Sequence, residues 1–138
     1  MTGKSQPAEK ERSGSKRIRI LLVDDHNILR AGVRGLIERQ PDLEVVGEAE
    51  DGRTAVQLSR KLTPDVVLMD ISMQDLNGIE ATRQITGDAP RTKVIILSMH
   101  SGQRFVADVF KAGASGYLLK DCDFGEIISA VRAVAANE

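Results

Sequence analysis

From Arg17 onward, short runs of aliphatic and β-branched residues alternate with stretches whose apolar positions recur every three or four residues. The first run, Ile18 to Val23, stops at Asp24 and Asp25 and reads as strand one. Leu29, Val33, Leu36 and Ile37 then fall at helical spacing, with Arg30, Arg34, Glu38 and Arg39 between them and Pro41 closing the element. Leu43 to Ala49 alternates apolar and polar positions, as a strand with one partly solvated face does, and so predicts a second strand at a sheet edge. Asp51-Gly52 makes a turn into a second amphipathic helix carrying Ala55, Leu58, Ser59 and Leu62, which Pro64-Asp65 ends.

Strand three, Val66 to Met69, shows no alternation and is tipped by Asp70; such a run predicts a central strand covered on both faces. A loop with Asp75, Asn77 and Gly78 leads to a helix of about Ile79 to Ile85, and Gly87 and Pro90 precede a second central run, Val94 to Leu97, ending on Ser98. Val106, Val109, Phe110 and Gly113 predict helix four. Gly116 to Leu119 is a short fifth strand ending on Lys120, and Phe124, Ile127, Ile128, Val131, Val134 and Ala135 predict helix five, to about Ala136. Five strand-helix pairs in strict succession predict an α/β fold: a parallel sheet between two helical layers, joined by right-handed crossovers. An edge-like second strand and a short fifth favour the flavodoxin-like (βα)5 order 2-1-3-4-5.

Composition narrows the picture. With 138 residues, 41% hydrophobic and 28% charged, the chain is expected to form one compact domain with a single core rather than two. Aromatic content of 3% without tryptophan gives bases no stacking platform and disfavours a single-strand nucleic-acid binder. Cys122 is the sole cysteine, and neither a secretory leader nor a membrane-length apolar run occurs, so a reducing cytoplasm is the expected compartment. The net charge of −1 is unevenly placed: Lys4, Lys10, Arg12, Lys16 and Arg17 face only Glu9 and Glu11 in the first 17 residues, over an acidic remainder. Residues 1–16 are expected to be a disordered tail or an appended leader.

The polar residues at the strand ends carry the chemistry. Asp24 and Asp25 follow strand one, and Asp70, Ser98 and Lys120 end strands three, four and five. In an open parallel sheet the carboxyl ends share one edge, and the reversal of strand order between strands one and three opens a crevice there. Taken singly, Asp24 could cap helix one, Ser98 could serve a turn and Lys120 could be a solvated charge. Jointly they place three carboxylates together, where each like-charge pair costs on the order of 4 kcal/mol at 4 Å and an effective dielectric near 20. Lys120 offsets part of this, and a hard divalent cation such as Mg²⁺ can offset more while bridging a carboxylate to a phosphoryl oxygen. Asp70 thereby becomes a workable nucleophile toward phosphorus, with Lys120 and Ser98 on the remaining oxygens. Asp75, Asp121 and Asp123 lie past the strand ends and read as loop or cap acids. His26 and His100 lack transition-metal spacing with each other or with Cys122.

These residues carry a resemblance. Leu-Leu-Val-Asp-Asp-His at 21–26, Val-Leu-Met-Asp-Ile-Ser-Met at 67–73, Asn-Gly at 77–78, Leu-Ser-Met-His at 97–100 and Lys-Ala-Gly-Ala-Ser-Gly-Tyr-Leu-Leu-Lys-Asp at 111–121 resemble response regulator receiver domains of the NarL/FixJ type. The resemblance implies a regulatory phosphoacceptor rather than a turnover enzyme: a sensor histidine kinase donates a phosphoryl group to Asp70, and the domain catalyses its own phosphorylation from small donors and its own dephosphorylation. It implies Mg²⁺ held by Asp25, Asp70 and the Ser72 carbonyl, with Asp24 acting through water. Ser98 and Lys120 would contact the phosphoryl group, Tyr117 would swing inward as Ser98 moves, and Ser72 and His100 would tune hydrolysis. Output would pass through the face from helix four to helix five, also the face for a homodimer. Transcription would be controlled by a helix-turn-helix domain that is not expected within this chain.

Two positions depart from the pattern. Gln74 stands where the family usually has proline, so the loop gains an N–H. Asp121 replaces a proline often joined through a cis bond, and a trans Lys120–Asp121 bond is expected because non-proline cis costs about 2.5 to 4 kcal/mol. Among rivals, a dehalogenase-like phosphatase needs a second aspartate two residues past the first, which neither Asp24 nor Asp70 has. A flavin binder wants a small, hydroxyl-rich phosphate loop where Asp24 to Arg30 is acidic and bulky. A receiver-like interaction module that works without phosphorylation is the serious alternative.

Overall fold

A computed structural model describes residues 17–71, 78–99 and 102–137. Strands β1 (Ile18–Val23), β2 (Leu43–Ala49), β3 (Val66–Asp70), β4 (Lys93–Ser98) and β5 (Gly116–Leu119) alternate with helices α1 (Asn27–Glu38), α2 (Gly52–Leu62), α3 (Gly78–Asp88), α4 (Gln103–Lys111) and α5 (Phe124–Ala135). The strands form one parallel sheet in the order β2-β1-β3-β4-β5, so the expected architecture and order hold. No helix among the described residues is long and apolar enough to cross a membrane.

Strand pleating divides the core in two. Leu21, Val23, Val67, Met69, Val94 and Ile96 pack on one face with Ala55 and Val56 of α2, Ala81 and Ile85 of α3 and Val109 of α4. Ile20, Leu22, Val66, Leu68, Ile95 and Leu97 pack on the other with Val33 and Ile37 of α1 and Ile127, Val131 and Val134 of α5. This double covering is the physical reason the β1, β3 and β4 runs show almost no polar interruption.

Strand β2 lies at the edge, but its strict alternation is corrected. Ile20 pairs with Val45 and Leu21 with Gly47, so the register shifts past Val46. A one-residue shift exchanges the faces. Leu43 and Val45 therefore join the α1/α5 core, whereas Ala49 joins the opposite one. Helix α4 is corrected too. It begins at Gln103 and ends at Lys111, and Gly113, expected within it, lies beyond with φ +111°. A Cβ on Gly113 would come 2.4 Å from Thr86 Oγ1, so the residue is a stop packed on α3 rather than a helical position. Phe110 and Phe124, placed among apolar core positions by spacing, are instead well exposed.

Two helices are capped by aspartates. Asp123 is the N-cap of α5, accepting from the Glu126 N–H at 2.9 Å, and Asp51 caps α2 through the Thr54 N–H at 2.8 Å. Gly78 opens α3 against the end of β3, where a Cβ would lie 2.2 Å from the Ile71 side chain; this approach keeps α3 close under the carboxyl edge of the sheet.

Candidate functional site

Register brings the strand-end residues together. Val23 pairs with Met69, which sets Asp24 beside Asp70, while Asp70 pairs with Leu97 and Ser98 with Leu119. The Lys120 N–H donates to the Ser98 carbonyl at 2.8 Å, continuing the ladder one step past β5. Asp24, Asp25, Asp70, Ser98 and Lys120 thus meet at one edge because their strands end in step.

Asp70 is fully buried, and Lys120 Nζ, on a side chain 12% exposed, donates to its Oδ2 at 2.7 Å. Ser98 is also fully buried. Asp24 is buried and Asp25 is exposed, so the adjacent acids face different surroundings. Burial, together with the Asp70 charge, raises the Asp24 carboxyl above its ordinary value against the opposing His26 N–H bond and Lys120 charge. Asp24 does not cap α1: the N-cap is His26, whose side chain makes no capping bond, and the Asp24 carboxylate accepts the His26 N–H at 2.9 Å in a local turn.

The imidazole of His26 is the site feature that spacing rules missed. Its Nδ1 lies 3.1 Å from Asp24 Oδ1, 3.0 Å from Asp25 Oδ1 and 3.9 Å from Asp70 Oδ2. The four residues Asp24, Asp25, His26 and Asp70 present ligand atoms within 4.8 Å of one another. Spacing tests compare histidines and cysteines with each other; the signal that could have found His26 is its position directly after two acids at a strand end. Arg30 is the second residue missed. It donates from Nε to Glu48 Oε1 at 2.7 Å, from a terminal nitrogen to Asn27 Oδ1 at 2.7 Å, and from the other to the Asp24 carbonyl.

The donor set fits a hard divalent cation. It offers three carboxylates and no thiolate, and Lys120 is already committed to Asp70. The imidazole is the one donor Mg²⁺ does not favour, and it stands over the more exposed acid. Tyr117 is half-buried and meets Phe105 edge to face, ring centroids 6.4 Å apart at 78°. No cis peptide occurs among the described residues, so the Lys120–Asp121 bond is trans, as expected. Ser72, Gln74, Asp75, Asn77 and His100 lie outside the described residues.

Known proteins resemble this chain in sequence and fold. The family model for the response regulator receiver domain matches residues 20–132. The transcriptional regulatory protein DegU of Brevibacillus brevis is 46% identical over 125 residues, covering 91% of this chain and 53% of that protein. A LuxR-family two-component response regulator from Aurantimonas sp. SI85-9A1 superposes with a TM-score of 0.84 at 45% identity, covering 89% of this chain and 88% of that one. The signal receiver domain of the putative response regulator NarL from Mycobacterium tuberculosis superposes with a TM-score of 0.85 at 32% identity, covering 89% and 99%. The chain spans about half the length of the curated relatives it matches. A parallel sheet in this order, acids and a lysine gathered at its carboxyl edge, and these matches together establish that the chain belongs to the response regulator receiver domain family, among regulators of the LuxR/NarL type.

Proposed function

We propose that this chain accepts a phosphoryl group on Asp70 from the phosphohistidine of a sensor histidine kinase. The observation that carries the reading is the buried Asp70 carboxylate gripped by Lys120 at 2.7 Å while Asp24 and Asp25 crowd the same edge. Stability alone does not gather like charges this way, whereas phosphoryl transfer needs positioning and compensating charge. A carboxylate oxygen of Asp70 forms a bond to phosphorus as the bond from phosphorus to the donor imidazole nitrogen breaks, the electron pair staying on that nitrogen. Lys120 remains to hold a phosphoryl oxygen, and Ser98, buried at the neighbouring strand end, offers its hydroxyl to another.

Asp24, Asp25 and Asp70, with the Ser72 carbonyl that the family resemblance adds, would hold Mg²⁺, which supplies neutralisation of the pocket and of the phosphoryl charge. The added charge draws Ser98 and Lys120 toward the acceptor and biases α4, β5 and α5 between two arrangements, with Tyr117 turning inward toward the space Ser98 leaves. Residues 17–138 act as the regulatory unit, in the cytoplasm, for a helix-turn-helix output domain outside this chain. Phe110 on α4 and Leu119 on β5, both exposed, lie on the face through which phosphorylated copies would pair.

Acetyl phosphate with Mg²⁺ tests the acceptor. Intact mass should rise by one phosphoryl group in the wild-type protein and stay unchanged in Asp70→Asn; a gain at the wild-type rate in the variant overturns the assignment. A wild-type protein that gains no mass from acetyl phosphate or a histidine kinase would favour a phosphorylation-independent interaction module.

A further inference from the structure

We infer that Arg30, on the second turn of α1, is a positioning residue that sets the orientation of the acid pair Asp24-Asp25 for cation binding. The inference rests on the proposed Mg²⁺ site and adds a residue to its support. Asp24 and Asp25 share a peptide unit, and rotating that unit swings both Cα–Cβ directions. The Asp24 N–H is fixed by the Ala49 carbonyl at the end of β2, at 3.0 Å. The carbonyl of the shared peptide has its own clamp, a terminal nitrogen of the Arg30 guanidinium.

That guanidinium is itself held from three sides. Its Nε donates to Glu48 on β2 at 2.7 Å, and the remaining terminal nitrogen donates to Asn27 Oδ1 at 2.7 Å and lies 3.6 Å from Glu50. Its side chain is only 12% exposed. A planar fork fixed to a neighbouring strand can hold a carbonyl in one direction; a lysine ammonium on a flexible stem cannot satisfy three acceptors in that plane. Glu48 and Glu50 also balance the guanidinium charge, so Arg30 acts on the acids by direction rather than by field. Groups that orient metal ligands from behind in this way commonly change metal affinity 10- to 100-fold when altered.

The test separates direction from charge. MgCl₂ is titrated into ¹⁵N-labelled protein, and binding is read from the amide shifts of residues 24–26 and 70–71. Arg30→Lys, which keeps the charge, should raise the Mg²⁺ dissociation constant by about tenfold. Arg30→Gln should also weaken binding, although removal of a nearby positive charge would by itself tighten it. Arg34→Gln shares the Glu48 contact but does not touch Asp24, and should bind Mg²⁺ within about twofold of wild type. If wild type binds Mg²⁺ and Arg30→Lys matches it within twofold, or Arg30→Gln binds more tightly, the positioning role is overturned while the proposed function stands. If wild type itself binds no Mg²⁺, the cation site falls and the inference with it. Should Arg30→Gln be too unstable to titrate, Arg30→Lys carries the decision alone.

Discussion

Lys120 has a structural duty beside its proposed phosphoryl contact. It offsets the charge of a fully buried aspartate, so removing it leaves a buried carboxylate among carboxylates without its cation. Lys120→Ala is expected to destabilise the fold by about 3 kcal/mol in urea unfolding, at the low end for a broken buried pair because the lysine keeps some solvent contact. Asp70→Asn removes the group that needs the lysine, and in that background the same substitution should cost less than about 1 kcal/mol. Equal costs in the two backgrounds would show that the contact contributes nothing to stability. At this scale the sequence was legible where a residue ends a strand: Asp24, Asp25, Asp70, Ser98 and Lys120 all arrive at the edge they were read to share. It was not legible for His26 and Arg30, whose side chains reach across a turn and from a helix. Where the Arg30 side chain arrives depends on how α1 packs against β1 and β2.

Helix α1 and strand β2 are joined by charge rather than by apolar contact alone. Glu48 accepts from both Arg30 and Arg34, and Arg34 also pairs with Glu38 one turn on. Burial pushes the Glu48 carboxyl up, the bonds from Arg34 and Arg30 pull it down, and the net direction is below its ordinary value. A carboxyl depressed in the folded state stabilises fully above its unfolded value and loses that contribution as pH falls through the folded one. Wild type should therefore exceed Glu48→Gln by about 1 kcal/mol at pH 7, and the gap should close below about pH 4. Thermal unfolding of both proteins across pH checks this, and a gap unchanged at pH 3 would contradict it. Element boundaries show a matching limit of patterning. Residues 43–49 alternate on paper, yet the shift past Val46 turns the second half of the strand over, because β1 rather than β2 sets the register. The first turn of α4, Gln103 and Arg104, carries no apolar signal, so periodicity marks the helix only from Val106.

Across the molecule, the sheet divides labour between its faces. Cores on both sides fix β1, β3 and β4, while β5 is only half-buried and α4 sends a single fully buried side chain, Val109, into the core. The less buried elements β5 and α4 thus adjoin Ser98 and Lys120, as the proposed switch would require. Acetyl phosphate with Mg²⁺ should alter amide hydrogen exchange of residues 102–119 by more than about twofold, with α2 little changed, and Asp70→Asn should abolish the response. A uniform response across the sheet would speak against a switch confined to this face.

The sequence by itself determined the class of fold, the central strands and the residues at their carboxyl ends, because strands buried on both faces read as unbroken apolar runs whose ends are marked by polar residues. Only the tertiary structure decided which neighbours surround those residues. Helix α1 carries Arg30 to the Asp24 carbonyl, the register past Val46 sets Glu48 against Arg30, and α3 approaches the end of β3 at Gly78. Each of these is a contact between elements, fixed by how rigid bodies settle against one another. No spacing along the chain encodes that.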